Sequence, residues 1–167
     1  MVDARELARD YLRESFLQGD VRTLHYADDY YWRWDTRKYV PWDEDRLGDH
    51  LLEWLKLNDI ALQDARDFAW IKRNVVSTLR LEEGLKFGQR LDGKAHDGRW
   101  LVLKNGSLNL AADELVLEPR SPMLFNRVCV LVDYDPHAKC PLWDRLLLDW
   151  MSDDRELVGV LQEFVGS

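Results

Sequence analysis

Leu101-Val102-Leu103-Lys104-Asn105-Gly106-Ser107-Leu108-Asn109-Leu110 is the stretch whose reading decides the fold. Two short apolar runs meet at Asn-Gly, the dipeptide best suited to a tight hairpin, with glycine supplying a positive φ or a bulge. Downstream, Glu114-Leu115-Val116-Leu117-Glu118-Pro119 predicts a further short strand, and Asn126 to Val132 reads as one more. The run Val132-Asp133-Tyr134-Asp135-Pro136-His137-Ala138-Lys139-Cys140-Pro141-Leu142-Trp143 then breaks at Asp-Pro and hands over to a helix with Pro141 in its first turn. Trp143, Leu146, Leu147 and Trp150 share a face of that helix. Asp153 and Glu156 have capping-box spacing ahead of a last helix that turns Leu157, Leu161 and Phe164 or Val165 inward.

Upstream, Asp3 and Glu6 have the same spacing before a helix over 4–17, with Leu7, Ala8, Tyr11 and Leu12 on its apolar stripe. Thr23–Tyr26, Tyr30–Trp34 and Lys38–Val40 form an aromatic meander separated by Ala-Asp-Asp and Asp-Thr-Arg. Pro41-Trp42-Asp43 opens a helix carrying Leu47, Leu51, Trp54, Leu55, Asn58 and Leu62. Phe68, Ile71, Val75 and Leu79 mark another, on which Lys72, Arg73 and Arg80 form a basic ridge. From Glu82 to Arg99 the apolar pattern lapses, and Gly84, Gly88, Gly93 and Gly98 punctuate Lys86, Arg90, Lys94, His96 and Arg99, which predicts a flexible or extended basic connector between two subdomains. The fold class is therefore α+β: a mixed helical domain with short antiparallel meanders and a helical C-terminus. The expected organisation is 1–83, a connector at 84–99, and 100–167, with the two larger parts able to join as one compact domain.

The 167 residues are 46% apolar, ample for a packed core, and the eight tryptophans fall in nearly every predicted element, as core or interface residues would. A net charge of −8 excludes coating of nucleic acid by bulk attraction but leaves room for a local basic strip. Two cysteines, no signal peptide and no long apolar run predict a reducing cytoplasmic compartment and no membrane partner.

Catalytic signals are weak. Asp133 and Asp135, two apart at a strand end, could share a divalent metal, yet Asp-x-Asp-Pro is equally an ordinary polar turn. His137 and Cys140, with Cys129, fall short of the four ligands of a closed zinc site. A Cys140 nucleophile with His137 as base is disfavoured by the proline that follows it, and the glycines of 84–98 lack the Gly-Lys-Ser/Thr of a phosphate-binding loop.

Asn105-Gly106-x-Leu108-x-Leu110, Glu118-Pro119-Arg120-Ser121-Pro122 and Val132-x-Tyr134-Asp135-Pro136-x-Ala138-x-Cys140-Pro141-x-Trp143, in that order, resemble the region preceding the superfamily 3 helicase domain in phage and plasmid primases of the P4 type. Pox-virus D5-like primase-helicases share that region. Leu24-x-Tyr26, then Tyr30-Tyr31 with Trp34 and Tyr39, is similar to its start, and Asp153–Leu157 with Leu161–Gly166 is similar to the helix leading toward the motor, so the resemblance spans most of the chain.

The resemblance implies a non-catalytic, collar-like accessory domain of a DNA replication protein in a bacterial or phage cytoplasm, flanked by primase and ATPase portions. ATP and Mg²⁺ would belong to the downstream motor, as would the drive to form a ring, and this stretch itself would need no cofactor. Asn105, Gly106, Tyr134, Asp135, Pro136, Ala138, Cys140, Pro141 and Trp143 would be architectural. DNA contact would fall to Lys72, Arg73, Arg80, Lys86, Arg90, Lys94 and Arg99, by neutralising backbone phosphates without reading sequence. Two other readings compete: an acidic, Trp-rich protein-interaction module that never touches DNA, and an independent metal-dependent enzyme using Asp133 and Asp135.

Overall fold

Asp3 caps the first helix as its spacing predicts, its carboxylate accepting the N–H groups of Arg5 at 2.8 Å and Glu6 at 3.3 Å. The computed structural model describes residues 3–80, 84–92 and 99–166. It shows a mixed α+β chain with two compact units, Met1–Tyr134 and Asp135–Ser167.

In the first unit, helix α1 (Ala4–Phe16) buries Ala4, Ala8, Tyr11, Leu12 and Phe16 along one stripe. A minimal hairpin, β1 (Leu17–Gln18) with β2 (Val21–Arg22), leads into the antiparallel meander β3 (Leu24–Ala27), β4 (Tyr30–Trp34) and β5 (Tyr39–Trp42). The β3–β4 turn is made by Asp28 (φ 49°) and Asp29 (φ 65°), residues that tolerate the left-handed region a twisted two-residue hairpin requires. Helices α2 (Glu44–Leu57) and α3 (Ala65–Arg80) follow.

Alternation along the strands explains why this meander is so aromatic: both of its faces are buried. Leu24, Tyr31 and Trp42 face a helical core with Tyr11, Phe16, Leu47, Leu51, Trp54, Leu55, Ile71, Val75 and Leu79. Ala27, Trp32, Trp34 and Tyr39 face a second core closed by Phe125, with Leu85, Phe87 and Leu91 against it. Pro41 and Trp42 consequently end β5, where a helix start was expected. Trp42 pairs across the sheet with Tyr31, and Asp43 takes the capping role, accepting the Arg46 N–H at 2.7 Å.

Residues 84–92 run as turns with a single bridge, Arg90 to Leu124, and they are packed. Gly88 and Leu91 donate to the carbonyls of Phe125 and Met123, both at 2.7 Å, while Phe125 donates to Gln89 at 2.9 Å. The signal for this packing was present as Leu85-x-Phe87-x-Gln89-x-Leu91, an alternation masked by the glycines and charges around it. Lys94 and His96 lie outside the described residues.

The deciding hairpin forms as β6 (Trp100–Leu103) and β7 (Gly106–Asn109), with β8 (Leu117–Glu118) on the far side of β7. Neither Asn105 nor Gly106 has a positive φ, which corrects the expected reason for the glycine. A Cβ at Gly106 would lie 2.6 Å from the Glu118 carbonyl oxygen and 2.6 Å from Leu117 Cδ1, so glycine is needed because β8 crosses this close. Residues 126–132 do not form the full strand expected of them. Val130 makes a single parallel bridge to Leu103, and Val128, Val130, Leu131 and Val132 are exposed, so the segment touches the free edge of β6 without joining the sheet.

In the second unit, α4 (Pro141–Trp150) pairs with α5 (Arg155–Gly166) through a turn in which Ser152 and Asp153 have positive φ. Asp153 therefore cannot cap α5, and Asp154 does so, accepting the N–H groups of Glu156 at 3.0 Å and Leu157 at 3.2 Å. The inward face is also displaced from expectation. Leu147 is buried, but Leu142, Trp143, Leu146 and Trp150 are exposed on α4, as are Leu157, Val160 and Phe164 on α5. Of the eight tryptophans, Trp32, Trp34, Trp42 and Trp54 are core residues, whereas Trp70, Trp143 and Trp150 are exposed.

One buried histidine makes the fold pH-sensitive. His25 packs edge-on to Tyr39 and Phe125, its Nε2 lies 2.8 Å from the Arg22 carbonyl, and burial pushes its imidazole from the ordinary 6.5 down to about 4. Above pH 6.5 the ring is neutral in folded and unfolded chains alike. Below it the unfolded chain takes up a proton that the folded chain refuses, so stability falls as pH drops toward the folded value. Denaturant unfolding at pH 5 is expected to show a loss of about 2 kcal/mol relative to pH 7 from this residue, and a folded His25→Gln variant should lose less. Equal acid sensitivity of the two proteins would remove His25 as the cause.

Candidate nucleic-acid interface

The basic ridge of α3 is only partly available to a ligand. Lys72 is half-buried with its Nζ 3.3 Å from Glu44, and Arg80 lies 3.9 Å from the same carboxylate with its guanidinium 5.1 Å above the Tyr26 ring. Arg73 is exposed and makes no ion pair among the described residues. Arg90 is committed to the fold. It grips Asp92 through Nε at 3.1 Å and a terminal nitrogen at 2.9 Å, lies 3.8 Å from Glu118 and covers Trp100 at 5.7 Å. The hydrogen bond to Asp92, opposed by burial, holds its guanidinium above the ordinary value. Lys86 and Arg99 are exposed.

Two of these cations meet. Arg80 and Lys86 line an open cleft of about 510 Å³ with Tyr26, Ala27, Gly84 and Leu85, and the hairpin carboxylates Asp28 and Asp29 line it too. Tyr26 donates to Asp29 at 3.2 Å, which fixes that carboxylate. The two cations suit a phosphate. The carboxylates of Asp28 and Asp29 in the same lining oppose one.

Sequence reasoning missed Arg33 and Arg46. Their guanidiniums lie 4.9 Å and 5.5 Å from the centre of the Trp42 ring, from β4 and the first turn of α2 respectively. The signal was an arginine in the middle of an aromatic strand, where the aromatic pattern dominated the reading.

The motif residues cluster around one clamp and one helix start. Asn105 holds the backbone of Tyr134 with both ends of its amide, Oδ1 accepting the Tyr134 N–H at 2.8 Å and Nδ2 donating to the Tyr134 carbonyl at 2.9 Å. Lys104 pairs with Asp133 at 2.9 Å, so that carboxylate is occupied. Asp135 accepts the His137 N–H at 2.8 Å and its carbonyl accepts that of Ala138 at 3.1 Å, an ordinary turn at Pro136. Cys140 precedes α4 without capping it, Pro141 occupies its first turn, and Trp143 lies on the exposed stripe.

Both thiols are free, Cys129 half-buried beside Arg37 and Lys38 and Cys140 exposed. Among the described residues no three His, Cys, Asp or Glu side chains converge as a metal site, and no helix is long and apolar enough to cross a membrane. His50, which lines a cavity of about 210 Å³ with Ser15, Glu53, Trp54 and Leu57, has its Nδ1 3.0 Å from the Tyr11 hydroxyl.

No curated protein and no solved structure matches the chain. A family model, D5 N terminal like, matches residues 6–152, a span that takes in the aromatic meander, the Asn105 clamp on Tyr134 and the Pro141 helix start. By that match over most of its length, the chain belongs to the D5 N terminal like family.

Proposed function

We propose that this chain is a non-catalytic, collar-like accessory domain of a cytoplasmic DNA-replication primase-helicase, linking a primase portion to a superfamily 3 ATPase portion and touching the DNA backbone. The observation that carries the reading is family membership over residues 6–152. The meeting of Arg80 and Lys86 on one cleft supports a backbone contact, with Arg73 and Arg99 as further exposed cations. The exposed apolar stripe of α4, Leu142, Trp143, Leu146 and Trp150, supports docking of a neighbouring domain, since a contiguous apolar face of this kind marks an interaction site. ATP and Mg²⁺ act in the ATPase portion.

The test is anisotropy of labelled single- and double-stranded oligonucleotides titrated with the chain from 50 to 200 mM salt, values that span about 10³–10⁵ in affinity for a protein with several phosphate contacts. Binding that weakens steeply with salt is expected. Replacing Arg73, Lys86 and Arg99 together by alanine should lower the duplex salt slope by about 3, close to 1 per lost contact. No salt-sensitive binding to either DNA would sink the DNA part of the reading.

That outcome would favour the second reading, an acidic Trp-rich module for protein partners alone. The observation behind it is that Trp70, Trp143 and Trp150 are exposed. Under that reading the ATPase portion would still bind the chain, and would lose it on Leu146→Glu and Trp150→Glu.

A further inference from the structure

Arg33 and Arg46 share one indole and have no carboxylate partner among the described residues. Arg73 also lacks an ion pair among the described residues; what sets Arg33 and Arg46 apart is that two guanidiniums lie over one ring. Lys72 and Arg80 are paired to Glu44, Arg90 to Asp92, Arg13 to Asp10 and Lys104 to Asp133. Nearby acids are spent or unengaged: Asp43 is the cap of α2, while Asp45 and Asp49 form no ion pair with either arginine.

The fold holds the pair in place. Arg33 is on the central strand and Arg46 on the first turn of α2, and both guanidiniums lie over a Trp42 that is only 4% exposed. Two like charges on one ring, on the order of 10 Å apart at most, repel each other, and an anion between or across them relieves that repulsion. A guanidinium held over a ring by cation–π attraction can still offer its N–H donors to phosphate oxygens.

Register extends the argument. Tyr26, Tyr31 and Trp42 are direct cross-strand neighbours, so one aromatic row crosses the meander, its Tyr31 and Trp42 members buried against the helical core. Arg80 caps its Tyr26 end, beside the cleft shared with Lys86, and Arg33 with Arg46 caps its Trp42 end. Neighbouring strands lie about 4.8 Å apart, so the backbones of Tyr26 and Trp42 at the two ends of the row are roughly two strand spacings apart.

We propose that Arg33 and Arg46, held over Trp42, form a phosphate grip for the backbone of a polynucleotide that also passes Arg80. This rests on the DNA-contact reading above and names residues outside it. Phosphate is the shared chemistry of a nucleic-acid strand and of the free ion, and the experiment separates them.

The variant Arg33→Met with Arg46→Met keeps an unbranched apolar side chain at both positions and removes both charges. Its melting temperature is measured first, and a second variant, Arg33→Lys with Arg46→Lys, keeps charge without the planar fork. Single-stranded oligonucleotide binding is then followed from 50 to 200 mM salt. The expected result is a slope lowered by about 1.4 in the methionine variant, from 0.7 per lost contact, with affinity near 100 mM salt down about tenfold and partial recovery in the lysine variant. Side-chain NMR of Arg33 and Arg46 should move with oligonucleotide.

A methionine variant that melts like the parent and keeps the parent's slope overturns the grip while leaving the functional reading intact. A parent chain that binds no oligonucleotide overturns both. Arginine resonances that respond to inorganic phosphate alone, unmoved by oligonucleotide, overturn the backbone assignment in favour of free phosphate.

Discussion

Phe125→Ala is expected to destabilise the chain by about 4 kcal/mol and to lower the melting temperature by about 8–16 °C, the conversion for a chain of this size. Phe125 is fully buried and stacks on Phe87 at 4.6 Å with their planes 11° apart, while its edge meets Tyr39 at 4.9 Å and His25 at 5.7 Å. It closes the second core, the face of the meander that carries Trp32, Trp34 and Tyr39. Its backbone carries the same connection, accepting from Gly88 and donating to Gln89.

Truncation removes the aromatic partner of three rings at once, and the cavity is lined by large planar groups that collapse poorly. The cost should therefore lie well inside the range for a fully buried phenylalanine. Calorimetry or denaturant unfolding followed by tryptophan fluorescence reads it, because Trp32 and Trp34 report on this core. A loss below about 1 kcal/mol would mean that the second core is not closed by Phe125.

Gly106→Ala is the second large effect, about 3 kcal/mol, at the upper end of overpacking costs. The added methyl would stand 2.6 Å from the Glu118 carbonyl oxygen and 2.6–2.7 Å from two Leu117 atoms. A leucine side chain can turn away, but the carbonyl belongs to β8, which is paired to β7 through Ser107–Glu118 and Leu108–Leu117. Relief therefore requires the strands to separate. Gly159→Ala is the control: it lies within α5, no atom lies within 4 Å of its Cβ position, and alanine there should stabilise by about 0.5–1 kcal/mol. Opposite signs at the two glycines would separate close approach from helix propensity. A Gly106→Ala protein as stable as its parent would show that β8 does not lie against this glycine.

Local rules made much of the fold legible. Caps at Asp3 and the stripes of α1, α2 and α3 follow from spacing alone, because a helix buries residues three and four apart. The meander from Leu24 to Trp42 follows from alternating aromatic residues and turn acids. The candidate site was less legible. Lys72, Arg80 and Arg90 read as free cations in the sequence, yet each has a partner set by tertiary structure, Glu44 for the first two and Asp92 for the third.

The amino-acid sequence by itself determined most of the element types, though not the fate of residues 126–132, together with the α+β class and the motif order that marks the family, since these depend on propensity and on near neighbours along the chain. Tertiary structure alone decided that the meander is buried on both faces, that Gly106 is required by the approach of β8, and that Arg33 and Arg46 converge on Trp42. The physical reason is common to all three: each depends on which atoms distant in sequence come within a few ångströms, and neither periodicity nor composition encodes that distance.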